Sequence, residues 1–271
     1  MRQFTRSLLI SAALVAPRLG AQIPPAPDRI PPHDTFTVAS KVLGEDRRIN
    51  VYTPTAYKFS ATRKMPVLYM PDGALDEDFP HVVNTVDSLI SLGVIRPVII
   101  VGIPNTERRR DLTGPTRIKE DSAIAPHVGG SAQFRKFIRD ELFPAVKYRY
   151  RVTDERSIIG ESLAGLFIVE TFLADPRMFD HYIAIDPSLW WNSYALTDAA
   201  PSYIANFPGM PRTFYIASAD SKEISGASEK VVAALRAAPK AIRITYEPRK
   251  DLNHGNIFRA VGPGALAKEL R

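Results

Sequence analysis

Short apolar runs alternate with longer amphipathic stretches along most of the chain. The runs have the length of strands buried on both faces of a sheet, whereas the amphipathic stretches have the length and period of helices. The predicted strands cover residues 35–39, 48–53, 66–70, 97–103, 156–159, 181–185, 213–217 and 241–246. The predicted helices cover residues 79–92, 131–145, 162–174, 229–237 and 257–270.

This alternation predicts an α/β fold, with a mostly parallel central sheet covered by helices on both faces. The first two strands are expected to pair antiparallel through a turn at Gly44. In sheets of this kind the functional site lies at the carboxyl ends of the strands. Residues 35–271 are long enough to form one large domain.

The first 21 residues have the pattern of an export signal. Arg2 and Arg6 supply a basic start, an apolar run follows over residues 7–17, and small residues precede Gln22. The run is too short to cross a bilayer, so cleavage is expected rather than a stable membrane anchor. Residues 22–34 carry five prolines and are predicted to form an extended lead-in. The expected location is secreted or periplasmic.

Composition excludes several classes of protein. The chain is 45% hydrophobic and 24% charged, which is typical of a globular domain. Its net charge of +6 falls to +3 without the three arginines of the signal, too little to indicate nucleic-acid binding. There is no cysteine, and therefore no thiol nucleophile and no cysteine-linked lipid anchor. No motif indicates a metal or another cofactor.

The segment GESLAG (160–165) follows a predicted strand and opens a predicted helix. A nucleophile elbow needs this context, because the serine must sit on a sharp turn between small neighbours. Ser162 is therefore the candidate nucleophile, although Ala164 stands where the usual G-x-S-x-G pattern has glycine. The alternative is that Ser162 only caps an ordinary buried helix.

A serine needs a base, and His254 is the histidine that follows the last predicted strand and lies in a loop. This position fits the chain order Ser, acid, His of α/β-hydrolases. The acid is expected after the preceding strand, where Asp220 and Glu223 both qualify. Asp220 is preferred because it is nearer the end of the strand. His254 as a surface-loop histidine is the alternative.

An oxyanion is expected to be stabilised by the backbone N–H of Leu163 and by the turn at Gly73 and Ala74. Four further segments, together with HGNIF (254–258), resemble the putative-esterase family of α/β-hydrolases. This family includes siderophore trilactone esterases, feruloyl-type esterases and mycolyltransferases. The segments are VLYMPDG (67–73), VIIVGIPNTERRRDLTGP (98–115), IIGESLAGLF (158–167) and IAIDPSLWWN (183–192).

The resemblance implies an ester hydrolase with an oxyanion donor at Ala74 and a substrate-binding arginine at Arg108. It also implies a variable acid, so a Ser-His dyad remains open. A guanidinium at Arg108 can pair with a carboxylate, so anionic esters are among the expected small-molecule substrates. Asp111, which follows the three arginines, is a further candidate substrate-binding residue. The alternative is a solvated arginine loop in which Asp111 pairs with a neighbour. Of Trp190 and Trp191, one is expected in the core and the other in the wall of a substrate pocket.

Three functions are compatible with these sequence features. The first is an exported carboxylic-ester hydrolase, and the second is an acyltransferase that uses the same acyl-enzyme. The third is a non-catalytic ligand-binding module on a hydrolase fold, which the presence of both Ser162 and His254 disfavours.

Overall fold

A computed structural model describes residues 28–238 and 241–271. The predicted signal (1–21) and the first six residues of the predicted lead-in lie outside the described residues. The eight strands and the five predicted helices follow one another in the order that the sequence predicts, and further helices lie between them. The strands are β1 (Asp34–Ser40), β2 (Glu45–Tyr52), β3 (Met65–Pro71), β4 (Ile99–Ile103), β5 (Val152–Glu161), β6 (His181–Ile185), β7 (Arg212–Ala219) and β8 (Ile242–Arg249).

The helices begin with short α1 (Thr55–Lys58) and end with α10 (Ile257–Glu269). Between them lie α2 (Phe79–Ser91), α3 (Arg108–Leu112), α4 (Lys119–Ala123), α5 (Ser131–Phe137), α6 (Phe143–Arg149), α7 (Leu163–Ala174), α8 (Ala195–Ala205) and α9 (Lys222–Arg236). No helix in the described part of the chain combines the length and the apolar character needed to cross a membrane.

The eight strands form one sheet in the order β1-β2-β4-β3-β5-β6-β7-β8. β1 and β2 pair antiparallel, as predicted, and β2 also runs antiparallel to β4. The remaining neighbours are parallel, so the carboxyl ends of β3 to β8 meet at one edge. The predicted α/β class is confirmed.

Helices cover both faces of the sheet and form two apolar cores. One core packs α2 and α10 against the sheet, and the other packs α5 to α9 against the opposite face. Helix α7 lies deepest, with ten of its twelve residues buried. Its sequence is apolar on nearly every side, which is how a helix enclosed by the core is composed.

The helix predicted over residues 131–145 is interrupted by a π-helical turn, Ile138–Leu142, between α5 and α6. This turn brings Glu141 to the hairpin between β1 and β2, where its carboxylate accepts hydrogen bonds from the backbone N–H groups of Lys41 and Val42 at 2.9 and 3.1 Å. A single inserted residue in a helix redirects the side chains around it. The interruption therefore ties the antiparallel edge of the sheet to the helical layer.

Candidate active site

Three side chains from different strand ends form one hydrogen-bonded line. Ser162 follows β5, Asp186 follows β6, and His254 lies in the loop after β8. The Nε2 atom of His254 is 3.1 Å from the Ser162 Oγ, and its Nδ1 atom is 2.5 Å from Asp186 Oδ2. Asp186 is fully buried, whereas the imidazole is half exposed. The line thus runs from the protein interior to a hydroxyl that faces the surface.

The turn at Ser162 is strained and closely packed. Its backbone has φ 60° and ψ −120°, a conformation that side-chain-bearing residues seldom adopt. A side chain at Gly160 would place its Cβ 2.6 Å from the Cβ of Ala164, so Gly160 is what allows alanine at that position. The N–H of Ser162 donates to the carbonyl of Ile185 at 3.1 Å. The turn is therefore held against the end of β6, next to Asp186.

The acid assignment made from the sequence is corrected by this geometry. Neither Asp220 nor Glu223 bonds to His254; the carboxylate on its Nδ1 atom is Asp186. Because β6 is the immediate neighbour of β5, an acid after β6 starts one strand closer to Ser162 than an acid after β7. The second oxygen of Asp186 accepts the N–H of Ala219 at 2.7 Å, which balances its burial.

The two predicted acids have other positions. Asp220 is exposed, and its backbone N–H donates to the carbonyl of Leu252 at 3.0 Å. Glu223 is exposed at the start of α9, where it accepts the Ser221 hydroxyl at 3.0 Å. A signal for Asp186 was present in the sequence. It is a lone carboxylate directly after the apolar run HYIAI (181–185), followed by proline.

Backbone strain is concentrated at this edge of the sheet. Within residues 28–238 and 241–271, six non-glycine residues have positive φ, namely Asp72, Ser162, Asp186, Asn192, Ser193 and Tyr194. All six follow the carboxyl ends of β3, β5 or β6. Such conformations persist only where the surrounding structure fixes them, and they cluster at functional sites. Strain and the hydrogen-bonded line thus mark the same region.

The charges around His254 favour its protonated form. The hydrogen bond that His254 donates to Asp186 raises the pKa of His254, and the carboxylate of Glu161 adds to the rise. Burial in turn raises the pKa of Glu161 to about 7. One Glu161 oxygen is buried with no hydrogen-bond partner among the described residues. Burial, followed by the nearby Asp72 carboxylate, raises the pKa of Asp78 to about 6.

The two predicted oxyanion donors differ in what they bond. Leu163 is the first residue of α7, so its N–H precedes the helical hydrogen bonds and is available to a ligand. The N–H of Ala74 instead donates to Glu77 Oε2 at 2.8 Å. The other Glu77 oxygen accepts the Asn105 amide at 2.6 Å. Ala74 can serve an oxyanion only after Glu77 moves away.

The arginine predicted to bind substrate is already paired. Arg108 donates through Nε and Nη2 to the two oxygens of Asp72, each at 2.7 Å. Asp72 is buried at the end of β3, and Arg108 remains partly exposed. The guanidinium therefore lies at the edge where Ser162 lies, as predicted, with two of its donors bound to the protein.

Asp111 is not available to a substrate, and that prediction is corrected. It is fully buried, with one oxygen 2.5 Å from Arg47 and the other 2.7 Å from Arg110. Arg47 is itself fully buried, and Glu45 accepts from both arginines. The carboxylate therefore neutralises two arginines that pack the base of α3. The pairing of Asp111 with a neighbour is the alternative that the structure supports.

One of the two tryptophans lies in the core, as the sequence analysis expected. Trp191 is buried, and its indole N–H donates to the carbonyl of Gly114 at 2.8 Å. It anchors the segment after β4 to the segment after β6. Trp190 is half buried beside it, with the two rings 6.1 Å apart. A pocket-wall role for Trp190 stays a prediction.

Known proteins resemble this chain in sequence. The ferri-bacillibactin esterase BesA of Bacillus subtilis is 38% identical over 113 residues, covering 37% of this chain and 39% of that protein. The siderophore triacetylfusarinine C esterase of Aspergillus fumigatus is 30% identical over 195 residues, covering 66% and 64%. The alignments therefore span less than two thirds of either relative.

Solved structures share the fold. An IroE-like serine hydrolase from Shewanella oneidensis matches with a TM-score of 0.77 at 24% identity, covering 88% of this chain and 79% of that one. The family model described as putative esterase matches residues 40–230, which include β2 to β7 and the Ser162 turn. Because that match spans more than half of the sequence, the chain belongs to the putative esterase family.

Proposed function

We propose that this chain is a serine hydrolase that cleaves carboxylic esters through an acyl-enzyme on Ser162. The observation that carries the proposal is the line from Ser162 Oγ through His254 to the buried Asp186. A serine hydroxyl is a weak nucleophile until a base accepts its proton, and a base works best when a third group orients it. Family membership supports the same reaction class.

In the first half-reaction His254 Nε2 takes the proton of Ser162 as Oγ attacks the ester carbonyl carbon. Asp186 holds the proton on Nδ1, so the imidazole presents its free electron pair to the serine and its positive charge is compensated once it forms. The tetrahedral intermediate collapses to the acyl-enzyme. His254 then gives its proton to the departing alcohol.

In the second half-reaction water replaces the alcohol. His254 accepts a proton from the water as it attacks the acyl carbon, and returns that proton to Ser162 as the carboxylic acid leaves. Both steps place negative charge on the former carbonyl oxygen, for which the N–H groups of Leu163 and Ala74 are the proposed donors. The Glu77 carboxylate on Ala74 must be displaced first, since two anions cannot share one donor.

The relatives suggest which ester to test. Two of them are named for siderophore esters, ferri-bacillibactin and triacetylfusarinine C. We therefore propose a siderophore ester as the first substrate to examine, with a feruloylated sugar and a simple acyl ester as comparators. Ranking the three by kcat/KM would identify the class.

The decisive variant is Ser162→Ala, which should lower kcat by about 10⁶ because the nucleophile and its base act as a unit. A fluorophosphonate should label the wild-type protein at Ser162, located by peptide mass spectrometry. His254→Ala should lose about as much activity. Labelling at another serine, or near-normal turnover by either variant, would remove this line from the mechanism. Unchanged thermal unfolding would show that the fold is intact.

Export is part of the proposal and is supported by the pattern of the first 21 residues. N-terminal sequencing of protein recovered from the periplasm or the medium should begin at or near Gln22. Recovery of full-length protein from the cytosol alone would contradict it.

A further inference from the structure

A cavity lies far from Ser162, at the opposite end of β5. It has a volume of about 380 Å³ and opens between the start of β5, the middle of β3 and α6. Its lining comprises Val67, Tyr69, Arg139, Phe143, Pro144, Lys147, Val152, Thr153, Asp154 and Arg156. Arg156 precedes Ser162 by six strand residues, a separation of about 20 Å at roughly 3.3 Å per residue. The cavity is therefore separate from the proposed active site.

Aromatic rings and one guanidinium form the inner wall of this cavity. The Tyr69 and Phe143 rings lie 4.9 Å apart, and the Arg156 guanidinium lies 4.5 Å from the Phe143 ring centre. Tyr69 and Phe143 are buried, while Pro144 and Lys147 are exposed at the mouth. A pocket with an apolar wall and a few converging polar groups is the usual form of a small-molecule site.

The polar group of this wall is the Tyr69 hydroxyl, which has no hydrogen-bond partner among the described residues. Tyr69 is only 2% exposed, and its hydroxyl makes no hydrogen bond to any of the described residues. Burial raises the pKa of Tyr69 well above its usual range, with Arg156 opposing the rise, so the phenol is a neutral donor near a positive charge. The hydroxyl is not among the buried polar atoms that lack a partner in the described part of the chain, so it reaches the open space of the cavity, where a ligand acceptor can take its hydrogen bond.

Arg156 is also distinguished by its charge balance. Lys147 is paired with Asp154 at 3.0 Å, and Arg139 is paired with two aspartates. No carboxylate lies within ion-pair distance of the Arg156 guanidinium in the described part of the chain. The cavity thus holds a guanidinium that no carboxylate contacts directly, although Asp154 lies near enough to feel its charge, beside the Tyr69 hydroxyl.

From this arrangement we propose that the cavity binds a small carboxylate with an aromatic body. The carboxylate would accept hydrogen bonds from Arg156 and from the Tyr69 hydroxyl, while the body packs on Phe143 and Val67. A guanidinium matches a carboxylate through two parallel donors, and charge-assisted bonds of this kind are the stronger ones. A neutral molecule of the same shape would leave the cation unpaired.

Benzoate and benzamide are suitable matched probes, because they differ in charge but hardly in shape. Titration of the full chain, followed by NMR shifts of residues around the cavity, should show benzoate binding at least tenfold tighter than benzamide. Arg156→Gln should weaken benzoate at least tenfold, and Tyr69→Phe about threefold to tenfold. Lys147→Gln, at the mouth and paired with Asp154, should change it less than threefold. Ser162→Ala should leave it unchanged.

Thermal unfolding of each variant provides the control for folding. If Arg156→Gln does not fold, Tyr69→Phe decides, since it removes one hydroxyl from a wall that is otherwise unaltered. Equal binding by wild type and Tyr69→Phe, or equal binding of benzoate and benzamide, would overturn the proposal. Shifts confined to residues around Ser162 would also overturn it, because they would place the carboxylate in the proposed active site.

Discussion

Two groups of polar and charged side chains occupy the carboxyl edge of the sheet, and they differ in which of their members remain accessible to a ligand. In the line through Ser162, His254 and Asp186, the buried carboxylate is satisfied and the hydroxyl and imidazole at the other end remain accessible. In the arginine segment over residues 108–110, two of the three guanidiniums are bound by carboxylates of the protein.

The difference shows that charge density in a sequence does not measure availability. Three consecutive arginines suggest an anion site, yet Arg108 is held by Asp72, and Arg110 by Glu45 and Asp111. The Arg110 hydrogen bond lowers the pKa of Glu45 to about 2, as expected for a closely paired carboxylate. Ser162 and His254 carry less charge, but their hydroxyl and imidazole groups remain accessible to a ligand.

Among the substitutions that test this difference between the two groups, the largest effect on activity is expected at Asp186. Asp186→Asn should lower kcat by up to about 10⁴, because the amide no longer fixes the imidazole tautomer that accepts the serine proton. Asp220→Asn and Glu223→Gln are matched controls and should stay close to wild type, since neither side chain bonds to His254. Steady-state kinetics of the three variants tests this. A large loss in Asp220→Asn with none in Asp186→Asn would restore the assignment made from the sequence.

Substitutions in the ion-pair network formed by Glu45, Arg47, Arg110 and Asp111 should change the stability of the fold. Asp111→Asn leaves buried Arg47 without its nearest carboxylate, and breaking a buried pair from one side costs about 3–5 kcal/mol. Urea unfolding should show this loss in the free energy of unfolding. Arg109→Ala is the control from the same segment; its side chain is exposed, and the expected change is within about 0.5 kcal/mol. Equal effects of the two variants would mean that the network contributes little.

The fold was largely predictable because the central strands, β3 to β7, are mostly buried and therefore stand out as continuous apolar runs. Each of the eight strands in the described residues overlaps a predicted apolar run. Helix α8 was missed because it contains Pro201 and many small residues. Helix α9 was predicted to begin seven residues late, since Gly226 and its polar neighbours weaken the local helical pattern. Packing of Ile224 and Ala227 against the core outweighs that propensity.

The candidate site was predictable where it depends on chain order and not where it depends on pairing. Ser162 and His254 follow from a strand-turn-helix pattern and from position after the last strand. Asp186 depends on which strand lies beside β5, and Asp111 depends on a contact with residue 47, distant in sequence. Neither relation is encoded in a local pattern. A general rule about the strand that carries the acid therefore selected Asp220.

Substitution of Glu161 tests how nearby negative charge affects the pKa of His254. His254 must be neutral to accept the serine proton, so activity should fall as pH drops through its raised pKa, above the ordinary value of about 6.5. Glu161→Gln removes a negative charge that stabilises the imidazolium. The acid limb of kcat/KM against pH should then move down by about half to one pH unit. Asp220→Asn should leave the limb in place.

The same variant has a second readout in stability. The pKa of Glu161 is about 7 in the folded chain, above the ordinary value, so the folded state binds more protons than the unfolded state between those pH values. The contribution of Glu161 to the free energy of unfolding is therefore present at low pH and lost as pH rises toward 7. Glu161→Gln should flatten that decline. An unchanged slope would place Glu161 in a more hydrated position.

The smallest expected effect concerns Arg108 and substrate charge. Because its Nε and Nη2 donors are engaged by Asp72, Arg108→Gln should lower kcat/KM for matched neutral and anionic esters by factors that agree within about threefold. The loss then arises from the freed Asp72 and the turn at the end of β3. Arg108→Gln combined with Asp72→Asn should recover part of the activity, since no uncompensated charge remains. Measurements at two salt concentrations separate a direct contact from a general field, which salt screens. A loss at least tenfold larger for the anionic ester would show that the guanidinium leaves Asp72 to bind substrate. Arg108 would then belong with Ser162 and His254, the side chains that are accessible to a ligand.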